Sequence, residues 1–245
     1  MRFKNKIAVV TGAAAGIGRA TAMRFAEEGA SVAILDLNEE GIKKVAEELS
    51  GSVGEIIPYV CDISDEARVG EVFSDIISRF GRVDILVNNA AVWKWHSPFM
   101  DIPVDVWKKF MDINLMGTVY CTRAALPSML EQKWGRIINV ASVAGEFGIS
   151  SMAQYSASKG AVIAMTKALA KEVVDKGVLV NAVTPGSVSP GENPDIDHYK
   201  ETPLSFMGRT GTDRENANLI AFLASDEASY ISGTSIRIDG CRKTL

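Results

Sequence analysis

The chain is poor in several things at once, and each shortage excludes something. It has only 3 cysteines in 245 residues. Cys61, Cys121 and Cys241 are odd in number and far apart, which is neither a disulfide framework nor a metal-ligand spacing, so a reducing compartment is expected. The 2 histidines, His96 and His198, stand alone, and no metal site is expected. No stretch approaches the roughly 18 apolar residues of a membrane helix. The basic start gives way to Ile7-Ala8-Val9-Val10 and stops at Thr11-Gly12, too short for a signal-peptide core. Basic excess is also missing: 26 Lys+Arg against 30 Asp+Glu give a net charge of −4, which argues against nucleic acid as a main partner. No repeat, linker or low-complexity segment interrupts the chain. A cytoplasmic location and no membrane partner are therefore expected.

What is present is ordinary globular material, 47% hydrophobic and 23% charged, which excludes global disorder. Short apolar runs alternate with amphipathic segments along the whole length. Strands are expected at 7–11, 31–37, 56–61, 83–87, 135–140, 178–184 and 234–238. Helices are expected at 16–28, 39–49, 66–80, 105–130 (broken near 114–117), 153–175 and 214–224. Continuous apolar strands between amphipathic helices mean βαβ units, and hence a parallel sheet covered on both faces. The fold class is α/β: one Rossmann domain over 1–245, with a doubly wound seven-stranded parallel sheet. The one long irregular stretch, 186–211, is rich in Pro, Gly, Ser and Asn and reads as a substrate lid.

Thr11-Gly12-Ala13-Ala14-Ala15-Gly16-Ile17-Gly18 lies between the first strand and the first helix. Spaced glycines there permit a tight turn and close approach of a pyrophosphate to the free N–H groups of a helix start. Asp36 ends the second strand, 18 residues after Gly18, where a carboxylate accepts from ribose hydroxyls and repels a 2′-phosphate. Leu37 follows it, and no Arg or Lys stands in the turn. NAD(H) is therefore favoured over NADP(H).

Tyr155 and Lys159 are one helical turn apart and share a face. A phenol with a pKa near ~10 is a poor base at neutral pH unless a neighbouring ammonium stabilises the phenolate. Ser142, just past a strand end, can donate to a carbonyl oxygen. The three suit acid/base work on an alcohol–carbonyl pair.

Taken together, these motifs resemble those of the short-chain dehydrogenase/reductase family along the whole chain. Thr11-Gly-(x)3-Gly-x-Gly18 resembles its glycine motif, and Asn88-Asn89-Ala90-Ala91 its Asn-Asn-Ala-Gly motif, with Ala91 where Gly is usual. Asn114 in Asp112-Ile113-Asn114 resembles the helical active-site Asn. Ser142 with Tyr155-Ser-Ala-Ser-Lys159 resembles the catalytic core, and Asn181-Ala-Val-Thr-Pro185-Gly186 the segment under the nicotinamide. The resemblance implies that Tyr155 is the acid/base and that Lys159 lowers its pKa and binds the nicotinamide ribose. It implies that Ser142 polarises the substrate oxygen and that Asn114 holds a water relaying protons to Lys159. On the cofactor side it implies Gly12, Ala15, Gly16, Ile17 and Gly18 at the pyrophosphate, and Asp36 with Leu37 at the adenosine ribose. Asp62 and Ile63 fall at the adenine, Asn89 and Ala90 along the adenosine, and Val140, Pro185, Gly186 and Val188 near the nicotinamide. Where the family's Thr holds the carboxamide, either Ser187 or Ser189 replaces it or nothing does. Pro190, Pro194 and Pro203 would restrict the lid.

Substrate walls are expected from three segments: Trp93 or Trp95 after the Asn-Asn-Ala-Ala turn, with His96 beside them read as solvent-exposed; Glu146 or Phe147 after Ser142; and the lid with His198, Tyr199, Phe206 and Met207. The leading expectation is an NAD(H)-dependent oxidoreductase interconverting a small secondary alcohol and its carbonyl. A 3-oxoacyl-acyl-carrier-protein reductase using NADPH is the rival reading, with Lys133 and Lys176 where carrier-docking residues would sit. An inactive NAD-sensing scaffold is the third, and the presence of Ser142, Tyr155, Lys159 and Asn114 argues against it. The resemblance further implies a homotetramer (or dimer) using the helices near 105–130 and 153–175, the latter carrying Ala157, Ala161, Ala164 and Ala168. The C-terminal tail with Cys241 would lie near a neighbour's pocket.

Overall fold

The computed structural model describes residues 1–188 and 195–243. Seven parallel strands form one sheet in the order β3-β2-β1-β4-β5-β6-β7. They are β1 (Ile7–Thr11), β2 (Ser31–Asp36), β3 (Ile56–Val60), β4 (Ile85–Asn88), β5 (Gly135–Val140), β6 (Val178–Pro185) and β7 (Ser235–Ile238). The central strands are apolar without interruption because helices cover both faces. Along β1 the side chains alternate between two cores. Ala8 and Val10 face a cluster with Phe25, Ile34, Ile42 and Ile220. Ile7 and Val9 face a cluster with Leu35, Phe73, Leu86, Met129 and Val180. Truncating a fully buried Phe such as Phe25 would cost about 3–5 kcal/mol. Pro58 is tolerated because β3 is an edge strand.

The first core is closed by α1 (Gly16–Glu27), α2 (Glu39–Glu48) and α8 (Asp213–Ala224), the second by α3 (Glu66–Phe80), α5 (Gly117–Glu131) and α7 (Ala153–Val173). Caps define several starts: Asn38 accepts from Gly41 N–H, Asp65 from Arg68 N–H, and Thr212 with Glu215 forms a capping box. Each expected helix is present, with ends displaced by a few residues. The break expected near 114–117 takes a specific form. Helix α4 (Val104–Met111) runs into a π-turn at Asp112–Met116, where Gly117 N–H reaches back five residues to Asp112 C=O, and continues as α5. A short helix, α6 (Ala144–Phe147), was not expected from the sequence.

Strand order reverses between β1 and β4, whose neighbours lie on opposite sides. In open parallel sheets the crevice beyond the strand C-termini at that reversal binds ligands. The glycine turn, Asn89, Val140, Ser142 and Pro185 all lie at that end. Among the described residues no helix is long and apolar enough to cross a membrane.

Candidate active site

The turn after β1 is built so that only glycine fits. Gly12 has φ +65°, and a Cβ there would lie 2.8 Å from the Ala90 Cα. A Cβ on Gly18 would lie 2.1 Å from the Gly12 carbonyl oxygen, so α1 starts as close to the turn as backbones allow. Gly16 also has positive φ, +58°. Ala15, the residue before α1, supplies no side-chain cap, and no acid stands in the first turn. The first N–H groups of α1 thus keep their donors and positive dipole end for an anion.

Neighbouring side chains hold this turn from outside. Asn89 Nδ2 donates to Thr11 C=O at 2.9 Å and to Gly12 C=O at 3.1 Å. Thr11 Oγ1 accepts from the N–H groups of Asn89 (3.0 Å) and Ala90 (3.1 Å). Asp36 accepts from Ala14 N–H and Asn38 N–H, both at 3.0 Å, which fixes its carboxylate beside the turn. Leu37 next to it is exposed. Asp62 accepts from Ser64, and Ile63 is buried against Gly117, where a Cβ would come within 2.6 Å of its Cδ1. The closely approached, N–H-rich cradle and the carboxylate beside it fit a dinucleotide.

Ser142, Tyr155 and Lys159 come together at the ends of β5 and α7. Ser142 stands near enough to Tyr155 to favour the ionised phenol, and its hydroxyl oxygen accepts from Ala144 N–H at 3.1 Å. Lys159 is 3% exposed and donates from Nζ to Val140 C=O at 2.7 Å. Burial pushes its ammonium down to about 8. Burial moves the Tyr155 phenol upward, and Ser142 only partly opposes that. Nζ sits 6.0 Å from the Tyr155 ring centroid and is aimed at a main-chain carbonyl. Phe110 meets the Tyr155 ring edge-on at 6.4 Å and packs with Ile102 and Val106 beside it.

Asn114 is fully buried, and its amide grips the chain after β4. Oδ1 accepts from Val92 N–H at 2.8 Å, and Nδ2 donates to Val92 C=O at 3.0 Å and to Ser158 Oγ at 3.0 Å. Both donors are in use, so a water held by this side chain would have only the remaining Oδ1 lone pair. Its main-chain carbonyl, displaced by the π-turn, accepts from Thr118 Oγ1 at 2.9 Å. Ser158 was missed by sequence reasoning. The signal available was a buried α7 face of Gln154, Ser158, Val162 and Thr166 at spacing four, polar at three of its four positions.

The remaining expected residues are held as follows. Glu146 accepts from Thr184 Oγ1 (3.2 Å) and Ser235 Oγ (3.4 Å) and pairs with Arg237 (3.1 Å), tying α6 to β6 and β7. Arg237 also lies over the Phe147 ring at 5.1 Å. This pair therefore faces the β7 edge of the sheet. Pro185 C=O accepts from Val143 N–H, and Gly186 packs so closely on Asp239 that a Cβ would come within 2.8 Å. Val188 bridges Gly211, and Ser187 Oγ accepts from Arg242 of the tail at 3.5 Å. Ser189, Pro190 and Pro194 lie outside the described residues. Trp93 and Trp95 are half exposed, and His96, Tyr199, Phe206 and Met207 are exposed.

This fold and this cluster define a dinucleotide-dependent oxidoreductase, and comparison with known proteins agrees. A family model described as Enoyl-(Acyl carrier protein) reductase matches residues 12–241. The chain is 39% identical over 243 residues to the 3-oxoacyl-(acyl-carrier-protein) reductase FabG of Thermotoga maritima, covering 98% of each. It is 37% identical to a 2-dehydro-3-deoxy-L-rhamnonate dehydrogenase (NAD(+)) of a Sphingomonas species, covering 100% of this chain and 98% of that one. The crystal structure of an NAD+-bound xylitol dehydrogenase superposes with a TM-score of 0.90 at 33% identity, covering 97% of this chain and 99% of the other. The chain belongs to the short-chain dehydrogenase/reductase family of oxidoreductases acting on CH–OH groups.

Proposed function

We propose that the protein is an NAD(H)-dependent oxidoreductase that interconverts a small secondary alcohol and its ketone or aldehyde, with Tyr155 as acid/base. The observation that carries this reading is the convergence of Ser142, just past β5, with Tyr155 and Lys159 one turn apart on α7, the Lys159 ammonium being anchored on Val140 C=O. The bound nicotinamide supplies the carbon that gives or takes the hydride. In reduction, Ser142 donates to the substrate carbonyl oxygen, and Tyr155, a neutral phenol at pH 7, gives that oxygen its proton. In oxidation Tyr155 takes the proton back, and the Lys159 charge stabilises the phenolate that precedes it. Asn114 shapes the wall by holding Val92. The turn at Gly12–Gly18 binds the pyrophosphate, and the main-chain anchored Asp36 carboxylate accepts from the ribose.

The rival, an NADPH-dependent 3-oxoacyl-acyl-carrier-protein reductase, is favoured by the identity to FabG. Against it, Lys133 and Lys176 lie before the starts of β5 and β6, with Lys133 C=O against Gly177. That is the opposite end of the strands from Val140 and Ser142, and a six-residue strand spans about 20 Å. A homotetramer is part of the proposal, supported by exposure of Ala157, Ala164 and Ala168 on α7. Light scattering checks it.

The deciding experiment titrates the protein with NADH and NADPH. The preferred cofactor is then used against polyols, sugars, cyclic alcohols and β-ketoacyl thioesters. Tighter NADH binding and turnover of an alcohol support the proposal; tighter NADPH binding with turnover of a thioester replaces it with the rival.

A further inference from the structure

The segment after β4 that carries Trp93 and Trp95 is held at three points, and one of them is a residue to which nothing above gives a role. Asn114 grips Val92 through both N–H and C=O. Ser97 N–H donates to Ser151 C=O at 2.9 Å. Between these, Gln154 Nε2 donates to Trp95 C=O at 3.1 Å. Within the segment Trp95 N–H closes on Trp93 C=O at 2.8 Å, so the two tryptophans share one tight turn.

Gln154 is fully buried and immediately precedes Tyr155. A main-chain carbonyl only accepts, so the amide must turn Nε2 toward Trp95. That leaves Oε1 buried with no hydrogen-bond partner. An unpaired buried acceptor is costly, and an apolar side chain of the same length would avoid it. Packing alone therefore does not account for glutamine here; the donor to Trp95 does. The same helical turn holds Tyr155, which packs against the same Ile102, Val106 and Phe110 cluster as Val92. The loop is thus indexed to the helix that carries the phenol.

We infer that Gln154 is a positioning residue: its amide fixes the Trp93–Trp95 turn against the N-terminal turn of α7 and so sets one substrate wall relative to Tyr155. The part concerning substrate rests on the proposed activity; the part concerning the loop does not.

Two variants test it, read by hydrogen exchange of the peptide spanning 91–98 and by kinetics. Gln154→Met keeps length and removes both the donor and the orphan acceptor. Its Tm is expected to equal or exceed the parent's. Exchange in 91–98 is expected to rise at least tenfold, with the 153–166 peptide unchanged. Gln154→Glu presents an acceptor to Trp95 C=O when ionised and a donor when protonated. Its loop is expected to be loose at pH 8 and to regain protection toward pH 5, after correction for intrinsic exchange, which the Met variant cannot do.

With cyclohexanone as probe and NADH as reductant, KM for the ketone is expected to rise at least fivefold in Gln154→Met, with NADH affinity within twofold of the parent. Unchanged loop exchange in both variants overturns the inference. So does loosening spread equally over 153–166, which would mark a packing role. A loosened loop with unchanged KM removes the substrate wall and leaves the activity standing. A parent inactive on the whole alcohol and carbonyl panel refutes the proposed activity, and the exchange data still decide the loop.

Discussion

Lys159 carries a charge the fold does not welcome, and replacing it measures by how much. Burial alone lowers its ammonium from 10.5 to about 8, since no carboxylate offsets the lost water. At about 1.4 kcal/mol per pH unit, the folded protein gives up about 3 kcal/mol to keep Lys159 charged at pH 7. Lys159→Met fills the same space without charge. It also removes a donor from Val140 C=O, at about 1 kcal/mol. The expected net gain is about 2 kcal/mol at pH 7, or about 4–8 °C in Tm for a chain of this size, together with loss of turnover. The unfolded parent keeps this proton up to pH 10.5, while the folded parent releases it near 8. Between those values the unfolded state binds more protons, so parental stability rises with pH. The advantage of the variant is therefore full below pH 8 and shrinks toward zero, or reverses, by pH 10.5. Urea unfolding at pH 7 and pH 10, at one protein concentration, reads the difference. A variant less stable at pH 7, or a gap of equal size at both pH values, would refute the reasoning.

Three further outcomes are expected. Gly18→Ala sets a methyl 2.1 Å from Gly12 C=O, so α1 must shift, and NADH binding should weaken by two orders of magnitude or more in a fluorescence titration while circular dichroism shows a folded chain. Asp36→Asn keeps an acceptor at the turn but removes the negative charge, so the ratio of NADPH to NADH Kd should fall about tenfold, or about 1.4 kcal/mol; an unchanged ratio would detach cofactor choice from this carboxylate. Burial pushes the Cys61 thiol up to about 11 and the Cys121 thiol upward as well, whereas Cys241 is exposed. A thiol reagent at pH 8 should therefore modify one cysteine of three rapidly in the folded protein and all three in urea; fast reaction of a second thiol would contradict the buried placement.

The parts of the fold legible in the sequence are those written in local patterns. The run Val9-Val10 and the spacing of Val69, Val72, Phe73 and Ile76 state strand and helix directly, because one residue type repeats at the period of the element. Glycine positions were legible for the same reason: Gly12 and Gly18 are the only residues their backbone geometry and neighbours admit. What was not legible depends on pairs distant in sequence. That Asn114 would have both amide hydrogens committed requires knowing that Val92 and Ser158 converge on it across a π-turn. That Glu146 would face β7 requires the position of Arg237, about ninety residues on. Spacing shows Lys159 on the same face as Tyr155 but does not show the Val140 carbonyl that holds its ammonium.

A common feature of the site follows from these contacts. Asn89, Asp36, Asn114, Gln154 and Lys159 each hydrogen-bond main chain, and their partners sit at or next to strand ends or in the segments leaving them. Main chain at or beyond the strand ends thus anchors each of these groups. The residues expected to face substrate belong to segments that hang outside these anchors: the Trp93–Trp95 turn, α6, and the stretch from Asp195 to Gly211 that pairs with the tail. Substitution there can reshape a pocket at small cost, because the exposed rings of Trp93, Phe206 and Met207 carry little of the core. Substitution at an anchor moves backbone, and through backbone it moves several reacting groups together. The groups proposed for the chemistry are therefore anchored at the sheet, while those proposed to choose the substrate stand on the loops. Gln154 is where the two meet, an anchor in a helix whose partner is the Trp93–Trp95 loop.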